Sequence, residues 1–435
     1  MKISKSIFLI LGTSFILILE GCLSHKPLPK AVYAKNYSAL TTNEQRAILP
    51  VGKDLSKQEA VNIAIANNPD YQISQLKAVS AQTKYYEALA GLSPTVAAGA
   101  VTTGQGINAA GVSANYRVFN GGRTVMNILE AKAKAEQSKW NVQNTRRKLI
   151  KEVTVQNNSL YKDSAILKIQ QSNSRFQSDM AKKTIQKYNQ GQASETDVLN
   201  FQIKEYEAKA AAIAAYRDYN VNSYKLAASM GMTTAKLPAQ ADISKSPIIP
   251  AEEDKKQPLP EIDFYLDAAI ANRPDLKAQR DALKAAGYAS YSAMGKLAPI
   301  IDLGLGRDGF QTRLYWLFLD GGARIANVRS KEALYGIQQE ALLEKWIKVV
   351  QNVRTEYDSL KANKTRVKLL NQAVKIAFQR RNMVLREYNE GKIDITTLNQ
   401  AQKDLVNAKL SNKEAEVAIS NAKAKLNAAC GIQNN

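Results

Sequence analysis

The chain has few of the residues that build catalytic or metal sites. Among its 435 residues there is one histidine, His25, and there are two cysteines, Cys22 and Cys430. No Cys/His metal motif, Ser–His arrangement or glycine-rich phosphate loop can be found along the sequence. Two cysteines so far apart also do not indicate a disulfide framework. We therefore expect no enzyme activity, no cofactor and no metal site.

Helix breakers and aromatic residues are also scarce. The sequence has 12 prolines and 22 glycines, so long stretches rich in Ala, Lys, Gln and Asn run without interruption. The net charge of +21 raises the question of nucleic-acid binding, but the basic residues are spread along helical stretches and aromatic residues make up only 7%. Platforms on which bases could stack are therefore few. The composition predicts a helix-rich chain and no nucleic-acid partner.

The N-terminus has the pattern of an export signal. Lys2 and Lys5 precede an apolar run at residues 7–19. The run is too short for an ordinary membrane-spanning helix, which needs about 20 residues. A basic start followed by a short apolar run is typical of a secretory signal peptide, which we place at residues 1–21.

Cys22 is a candidate lipid-attachment residue. The sequence LEGC at residues 19–22 resembles a bacterial lipobox, although Glu20 stands where that motif has a small uncharged residue. Signal cleavage that leaves Cys22 unmodified is therefore the alternative. No aspartate follows Cys22 in Leu23-Ser24, which for a lipoprotein favours sorting to the outer membrane.

The most informative feature is an internal repeat. AIANNPD at residues 64–70 recurs as AIANRPD at 269–275, and LSP at 92–94 recurs as LAP at 297–299. FNGGR at 119–123 corresponds to LDGGA at 319–323, and YNQG at 188–191 to YNEG at 388–391. We divide the mature chain into a tether at 22–55, a first repeat at 56–236, a proline-rich connector at 237–260 and a second repeat at 261–432.

Each repeat is predicted to contain an opening helix, two short strands and two very long helices. The strand pairs are placed at 95–119 and 300–318. Val112, Ala114, Tyr116 and Val118 alternate with polar residues, which gives one apolar and one polar face. A strand between lipid and a watery lumen needs this pattern, although a hairpin packed on a soluble core would show it too.

The long helices carry heptad patterns that predict their packing. After Gly122 and Gly322 the pattern stays helical for about 65 residues, or roughly 100 Å. The last helix has one clear seam: Leu398, Ala401, Leu405, Ala408, Asn412, Ala415, Ile419, Ala422, Leu426 and Ala429. The helix before it has a seam that Arg381 interrupts: Leu360, Val367, Leu370, Val374, Ala377, Val384 and Tyr388.

The corresponding helix of the first repeat offers two seams. One runs through Leu199, Ile203, Tyr206, Ala210, Ile213 and Tyr224, and the other through Val198, Phe201, Ala208, Ala212 and Ala215. A helix in an isolated hairpin needs one apolar stripe. Two stripes therefore predict a helix with a neighbour on either side, as in a cylinder of helices.

These motifs together resemble those of the TolC-like outer-membrane factors. The resemblance rests on the order Asn-x-Pro-Asp, a strand pair closed by Phe/Leu-x-Gly-Gly, and a helical hairpin turning at Tyr-Asn-x-Gly, present twice. It implies a mainly α fold with a small β part: a periplasmic α-barrel of long helical hairpins and four strands per subunit in a trimeric 12-stranded β-barrel. The implied function is an outer-membrane channel subunit of a tripartite efflux or type I secretion system. The implied partners are a periplasmic adaptor and an inner-membrane pump or ABC transporter.

The resemblance also implies which residues form the periplasmic tip that the adaptor grips. They are Tyr188, Asn189, Gly191, Ser194 and Asp197 in the first turn, and Tyr388, Asn389, Gly391 and Asp394 in the second. Gly191 and Gly391 are predicted as left-handed helix C-caps, and Ser194 and Asp394 as N-caps. Capping alone would also explain these residues. A hydrogen bond between Asp197 and Tyr388 that holds the tip shut is a further hypothesis.

The chain departs from the family at the predicted aperture. Thr397 and Gln400 stand where well-known members have a ring of aspartates, so an acidic constriction is in doubt. Ile393 replaces an arginine that is frequent in the family latch. The alternative to a channel is a structural lipoprotein scaffold whose strands are too short to make a pore. The sequence does not choose between drugs, metal ions, peptides and proteins as cargo.

Overall fold

The computed structural model describes residues 55–103, 106–232, 259–306 and 309–432. The predicted signal peptide, Cys22, and nearly all of the predicted tether and connector lie outside the described residues.

Both repeats have the same order of elements, as the family resemblance implied. The first comprises α1 (Lys57–Asn67), α2 (Pro69–Ala90), β1 (Thr95–Thr103), β2 (Gly106–Phe119), α3 (Arg123–Asn189) and α4 (Glu195–Ser229). The second comprises α5 (Ile262–Asn272), α6 (Pro274–Met294), β3 (Ile300–Gly306), β4 (Gly309–Tyr315), α7 (Ala323–Asn389) and α8 (Ile395–Ala429). The fold is mainly α with one small sheet, which confirms the predicted mainly α fold of long helices with a small β part.

The two helices of each hairpin differ in length. α3 and α7 have 67 residues each, whereas α4 and α8 have 35 each. The prediction of two very long helices per repeat was therefore wrong for the returning helix. The remaining length of α3 is covered by α2 and α6, and α6 also contacts α7. Two shorter helices thus replace one long neighbour.

The repeated Asn-x-Pro-Asp motif explains why α1 and α2 are separate helices. Pro69 and Pro274 are the first residues of α2 and α6, and the residues before them have extended backbones. Asn68 caps α2 through its side chain, which accepts from the Tyr71 backbone N–H at 3.1 Å. Its amide also donates to the Ser229 carbonyl at the end of α4, at 2.9 Å. The break in the first helix therefore contacts the end of the returning helix.

The second repeat builds the same contact with different chemistry. Arg273 replaces Asn68 and donates to the Ala429 carbonyl at the end of α8, at 3.2 Å. Gly431 follows that helix with φ +72, and a Cβ there would lie 2.9 Å from the backbone of Asn272. Only glycine permits this close approach in the left-handed region.

The four strands form a single antiparallel sheet in the order β1-β2-β3-β4. The pairing of β2 with β3 joins the two repeats. The strands have 9, 14, 7 and 7 residues, so β4 ends at Tyr315, three residues before the predicted end. Beyond it the Trp316 indole donates to the Leu297 carbonyl at 3.1 Å. β1 and β4 are the edges of the sheet.

The described helices include none that is both long enough and apolar enough to cross a membrane.

Candidate functional site

The two hairpin turns share one backbone geometry. α3 ends at Asn189 and α7 at Asn389, and Gly191 and Gly391 follow with φ +70 and +73. The backbone N–H after each glycine donates to a carbonyl five residues earlier, at 2.8 and 2.9 Å. This is the bond pattern of a Schellman motif, so the predicted left-handed C-caps are confirmed.

The helices that leave the turns begin at the predicted N-caps. The Ser194 hydroxyl accepts from the Asp197 backbone N–H at 3.1 Å, and the Asp197 carboxylate accepts in return from the Ser194 N–H and hydroxyl. Asp394 accepts from the Thr397 backbone N–H at 2.9 Å. Hydrogen bonds from Thr397 hold the pKa of Asp394 below its ordinary value.

The tips of the two hairpins pack against each other. A buried apolar cluster, which we call the tip cluster, contains residues from all four helices of the hairpins: Met180, Ala181, Phe201, Val384, Ile395, Leu398 and Ala401. Phe201 and Leu398 are fully buried in it. The cluster therefore fixes the first turn against the second, at the position where the sequence predicts the adaptor-binding tip.

Tyr388 and Tyr188 are equivalent in the repeat but differ in environment. Tyr188 is exposed, as are Asn189 and Asn389. Tyr388 is half-buried against the tip cluster, with its ring edge-on to Phe201 at 6.1 Å between centroids. The Lys187 ammonium lies 5.3 Å from the centre of the same ring.

The pKa of Tyr388 is raised above its ordinary value, mainly by burial. Burial raises the pKa, a hydrogen bond with Thr184 lowers it, and the negative charge of Asp197 raises it further. Asp197 is therefore close to Tyr388, but its hydrogen bonds are those with Ser194. The hydrogen bond between Asp197 and Tyr388 stays a prediction.

Arg381, which interrupts the apolar seam of α7, lies beside the tip cluster. Its guanidinium lies 5.6 Å from the ring centre of Phe176 and 5.5 Å from that of Phe378. Its Nε atom is buried without a hydrogen-bond partner, and burial lowers the pKa of the group. The interrupted heptad was the sequence signal for this residue, whereas nothing in the sequence indicated Thr184 or Lys187.

The predicted aperture residues belong to a polar group on α8. Thr397 is bound to the cap residue Asp394. Gln400 donates to Asp404 at 2.7 Å, and Asp404 also pairs with Arg380 of α7 at 2.5 Å. The nearest carboxylate to Gln400 is therefore neutralised by an arginine. Sequence reasoning missed Asp404 and Arg380.

The two seams of α4 have different environments. Phe201, Ala208 and Ala215 of one seam are buried against the rest of the chain. Every member of the other seam is exposed: Leu199, Ile203, Tyr206, Ala210, Ile213 and Tyr224. We call this second seam the α4 stripe. Its two aromatic and three large aliphatic side chains are 43–71% exposed within the described part of the chain.

The difference between α4 and α8 follows from the helix order. α3 contacts both α4 and α8, and α8 contacts α7 on its other side. The single predicted seam of α8 is buried or half-buried throughout, which confirms that prediction. α4 has only α3 as its main neighbour. On α7, Leu369, Ile376 and Met383 lie seven residues apart and are also exposed.

The sheet has one apolar and one polar face. Ala114 pairs with Leu305 and Leu305 with Phe310, so apolar residues lie side by side across three strands. On the other face Arg117, Asp302 and Arg313 lie side by side in register. The Arg117 Nε atom donates to Asp302 at 2.9 Å. Val112, Phe310 and Leu314 of the apolar face are exposed.

A buried ionic cluster joins the repeats about a third of the way along α3. Arg273 binds both oxygens of Asp275, at 2.9 and 2.6 Å, and Arg147 of α3 lies 3.8 Å from the same carboxylate. Arg147 also donates to the Ala428 carbonyl near the end of α8. Burial alone would raise the pKa of Asp275, but the two arginines outweigh it and hold the pKa below its ordinary value.

No group of three or more His, Cys, Asp or Glu side chains in the described part of the chain could hold a metal ion.

The chain matches the model of one protein family. The model of the family described as outer membrane efflux protein matches residues 60–232 and 265–432, which is most of both repeats. No curated protein matches the sequence significantly.

Several solved structures share the fold. The outer-membrane channel OprN superposes with a TM-score of 0.77 at 16% identity, covering 92% of this chain and 96% of that one. The outer membrane protein VceC from Vibrio cholerae gives 0.74 at 15% identity, with 86% and 96% covered. The CmeC outer membrane channel of Campylobacter jejuni gives 0.71 at 12% identity, with 89% and 91% covered. At these identities the likeness concerns the fold.

Proposed function

Since the chain belongs to the outer membrane efflux protein family, we propose that it is the outer-membrane channel subunit of a tripartite efflux or type I secretion system. In this role it carries material through a passage, and no bond is made or broken. The family and the fold are those of channel proteins rather than enzymes.

The exposed α4 stripe is the observation that carries this proposal. In a single chain the α4 stripe is exposed to water. Its burial would contribute a favourable free energy of about 25 cal/mol per Å² of apolar surface. Contiguous exposed apolar surface of this kind marks an interaction site. The exposed residues on α7 provide a matching surface near the other end of the row of helices. Contact between the α4 stripe of one subunit and α7 of the next would close the row into a cylinder.

The edges of the sheet also favour the association of subunits in a closed ring. β1 and β4 are edge strands with unpaired backbone groups, which proteins normally pair or cover. Pairing of β4 in one subunit with β1 in the next joins three four-stranded sheets into a 12-stranded barrel. The apolar face then contacts lipid and the Arg117 face lines the passage. A homotrimer would both cover the α4 stripe and pair the edge strands.

The tip formed by the two turns is the proposed docking site for a periplasmic adaptor protein. Tyr188, Asn189 and Asn389 are exposed there, and the tip cluster holds both turns in a fixed relation. The adaptor would connect the channel to an inner-membrane pump or ABC transporter. Tyr388 and Asp197 are the proposed latch residues, and the effect of the Asp197 charge on the pKa of Tyr388 supports their proximity.

We place the protein in the outer membrane of a Gram-negative bacterium, with its helices in the periplasm. Cys22 would carry the lipid anchor. Replacing it with serine is expected to remove the lipid mass from the mature protein, which mass spectrometry of the detergent-extracted chain measures. An unchanged mass apart from the substitution would show that Cys22 is not lipidated.

Planar-bilayer recording tests the channel function directly. Purified protein should give stepwise conductance, and light scattering in detergent should give the mass of three chains. A monomer without conductance would overturn the proposal in favour of a structural scaffold. Trimers without conductance would retain the assembly and refute the open passage.

A further inference from the structure

A cavity whose charged side chains are mostly positive lies where the sheet meets the helices. Its volume is about 400 Å³, and it is lined by residues of β2, α3, α6 and α7 and by Lys296 in the turn after α6. Four basic side chains line it: Arg117, Arg123, Lys296 and Lys331. Glu130 is the only acidic residue in its lining.

Most of this positive charge is not neutralised within the described chain. Glu130 is already paired with Lys134 at 2.5 Å, and Arg117 with Asp302 at 2.9 Å. The other three basic residues of the lining form no ion pair with any described residue. Two of them, Arg123 and Lys296, have neutral partners instead.

Those neutral partners hold the basic groups in place without cancelling their charge. The Arg123 Nε atom donates to the Asn120 carbonyl at 2.9 Å. The Lys296 ammonium donates to the Asn327 side-chain oxygen at 3.2 Å. Burial lowers the pKa of Arg123, and the positive charge of Arg117 lowers it further. Each of these groups retains N–H donors that a ligand can use.

The basic residues are not part of the repeated framework. The equivalent residue in the other repeat is Ala323 for Arg123, Ala131 for Lys331 and Gly91 for Lys296. Both repeats fold alike with and without these charges. The charges are therefore not needed to form the helices and strands that carry them.

We propose that this cavity binds small anions with phosphate, sulfate or carboxylate groups, and that it gives the passage a preference for anionic cargo. The second half of this inference rests on the proposed channel function. Arg117 belongs to the polar face of the sheet, so the cavity adjoins the face that lines the passage. Threefold symmetry would place three such cavities in a ring. A ring of charges of one sign in a confined space concentrates ions of the opposite sign.

Binding is tested on the detergent-extracted full chain with inorganic phosphate as the probe. The cavity variant is Lys296→Gln with Lys331→Gln, because both side chains can be shortened without removing an ion pair. The control variant is Lys132→Gln with Lys361→Gln, which removes the same charge from exposed positions outside the cavity. Calorimetric titration should show saturable binding to the wild type and to the control, and binding about tenfold weaker or lost in the cavity variant.

Selectivity is tested by reversal potentials in a KCl gradient across a planar bilayer. The wild type and the control should pass chloride in preference to potassium. The ratio of the two permeabilities should fall by about twofold or more in the cavity variant, and the preference should weaken at about 1 M salt because of screening.

The outcomes separate this inference from the proposed function. Phosphate binding without any conductance would support the site and refute the channel. Conductance with equal selectivity in all three proteins, or equal phosphate binding in both variants, would overturn the inference. Native mass spectrometry adds a third readout: a phospholipid retained by the wild type and lost from the cavity variant would identify a lipid headgroup as the anion and overturn the cargo preference.

Discussion

Replacement of Ile213 by alanine should weaken assembly without unfolding the subunit. Ile213 lies in the middle of the α4 stripe and is 71% exposed in the single chain. Alanine lacks three of its carbons, and burial of each carbon contributes about 0.8 kcal/mol, so the loss is about 1.7 kcal/mol at each interface if the exposed part becomes buried. Three equal interfaces lose about 5 kcal/mol, which raises the dissociation constant of the trimer more than about a thousandfold.

The assay is light scattering of the detergent-extracted protein over a range of concentrations. Ile213→Leu is the matched control, because it keeps the apolar volume and should remain trimeric. Far-UV circular dichroism should show the same helix content in all three proteins, since the side chain is exposed within one chain. A trimer of unchanged stability in Ile213→Ala would refute the assignment of the α4 stripe to the interface.

Four further predictions concern the folded subunit. Gly231→Ala should destabilise the fold far more than Gly191→Ala, although both glycines have φ near +70. A Cβ at Gly231 would lie 2.5 Å from the backbone oxygen of Asn67 at the end of α1, whereas Gly191 has open space and only the backbone cost of about 1–2 kcal/mol. Denaturant titration of both variants compares them, and equal losses would contradict the contact. Asp275→Asn should cost about 3–5 kcal/mol at neutral pH, because two buried arginines lose their partner. The folded pKa of Asp275 is depressed, so the stabilisation of the fold by its carboxylate is present above about pH 4 and is lost as the pH falls through the folded pKa. The variant should therefore lose less stability than the wild type on acidification. Parallel profiles of stability against pH would argue against this. Burial raises the pKa of the Cys430 thiol to about 11, although the positive charge of Arg273 opposes this rise. Iodoacetamide should therefore label Cys430 only after unfolding, and rapid labelling of the native protein would disprove its burial. Tyr388→Phe should cost about 1 kcal/mol through the lost hydroxyl hydrogen bond while the ring stays packed, and an unshifted urea midpoint would count against that bond.

The heptad patterns predicted which residues face a neighbouring helix, but not which neighbour. The single seam of α8 is packed inside the chain, as predicted. The two seams of α4 differ in that only the Phe201 seam is used within the subunit. Periodicity reports that a side chain needs a partner and contains no information on whether that partner belongs to the same chain.

The candidate site was predictable to a similar extent. Glycine after a helix and Ser or Asp before the next one are local signals, so the caps at Gly191, Ser194 and Asp394 could be read from the sequence. The contact of Tyr388 with Thr184 brings together residues of different repeats. No local pattern specifies such a pair.

The duplicated order of helices and strands, the proline breaks and the capped turns could be predicted from the sequence, because each depends on neighbouring residues along the chain. The folded chain was needed to show that two short helices share the length of α3, and that Arg147, Arg273 and Asp275 meet in one buried cluster. It also showed that basic residues from four separate elements surround one cavity. Such contacts depend on how distant segments approach each other in space, and that is set by packing of the whole chain rather than by any local pattern.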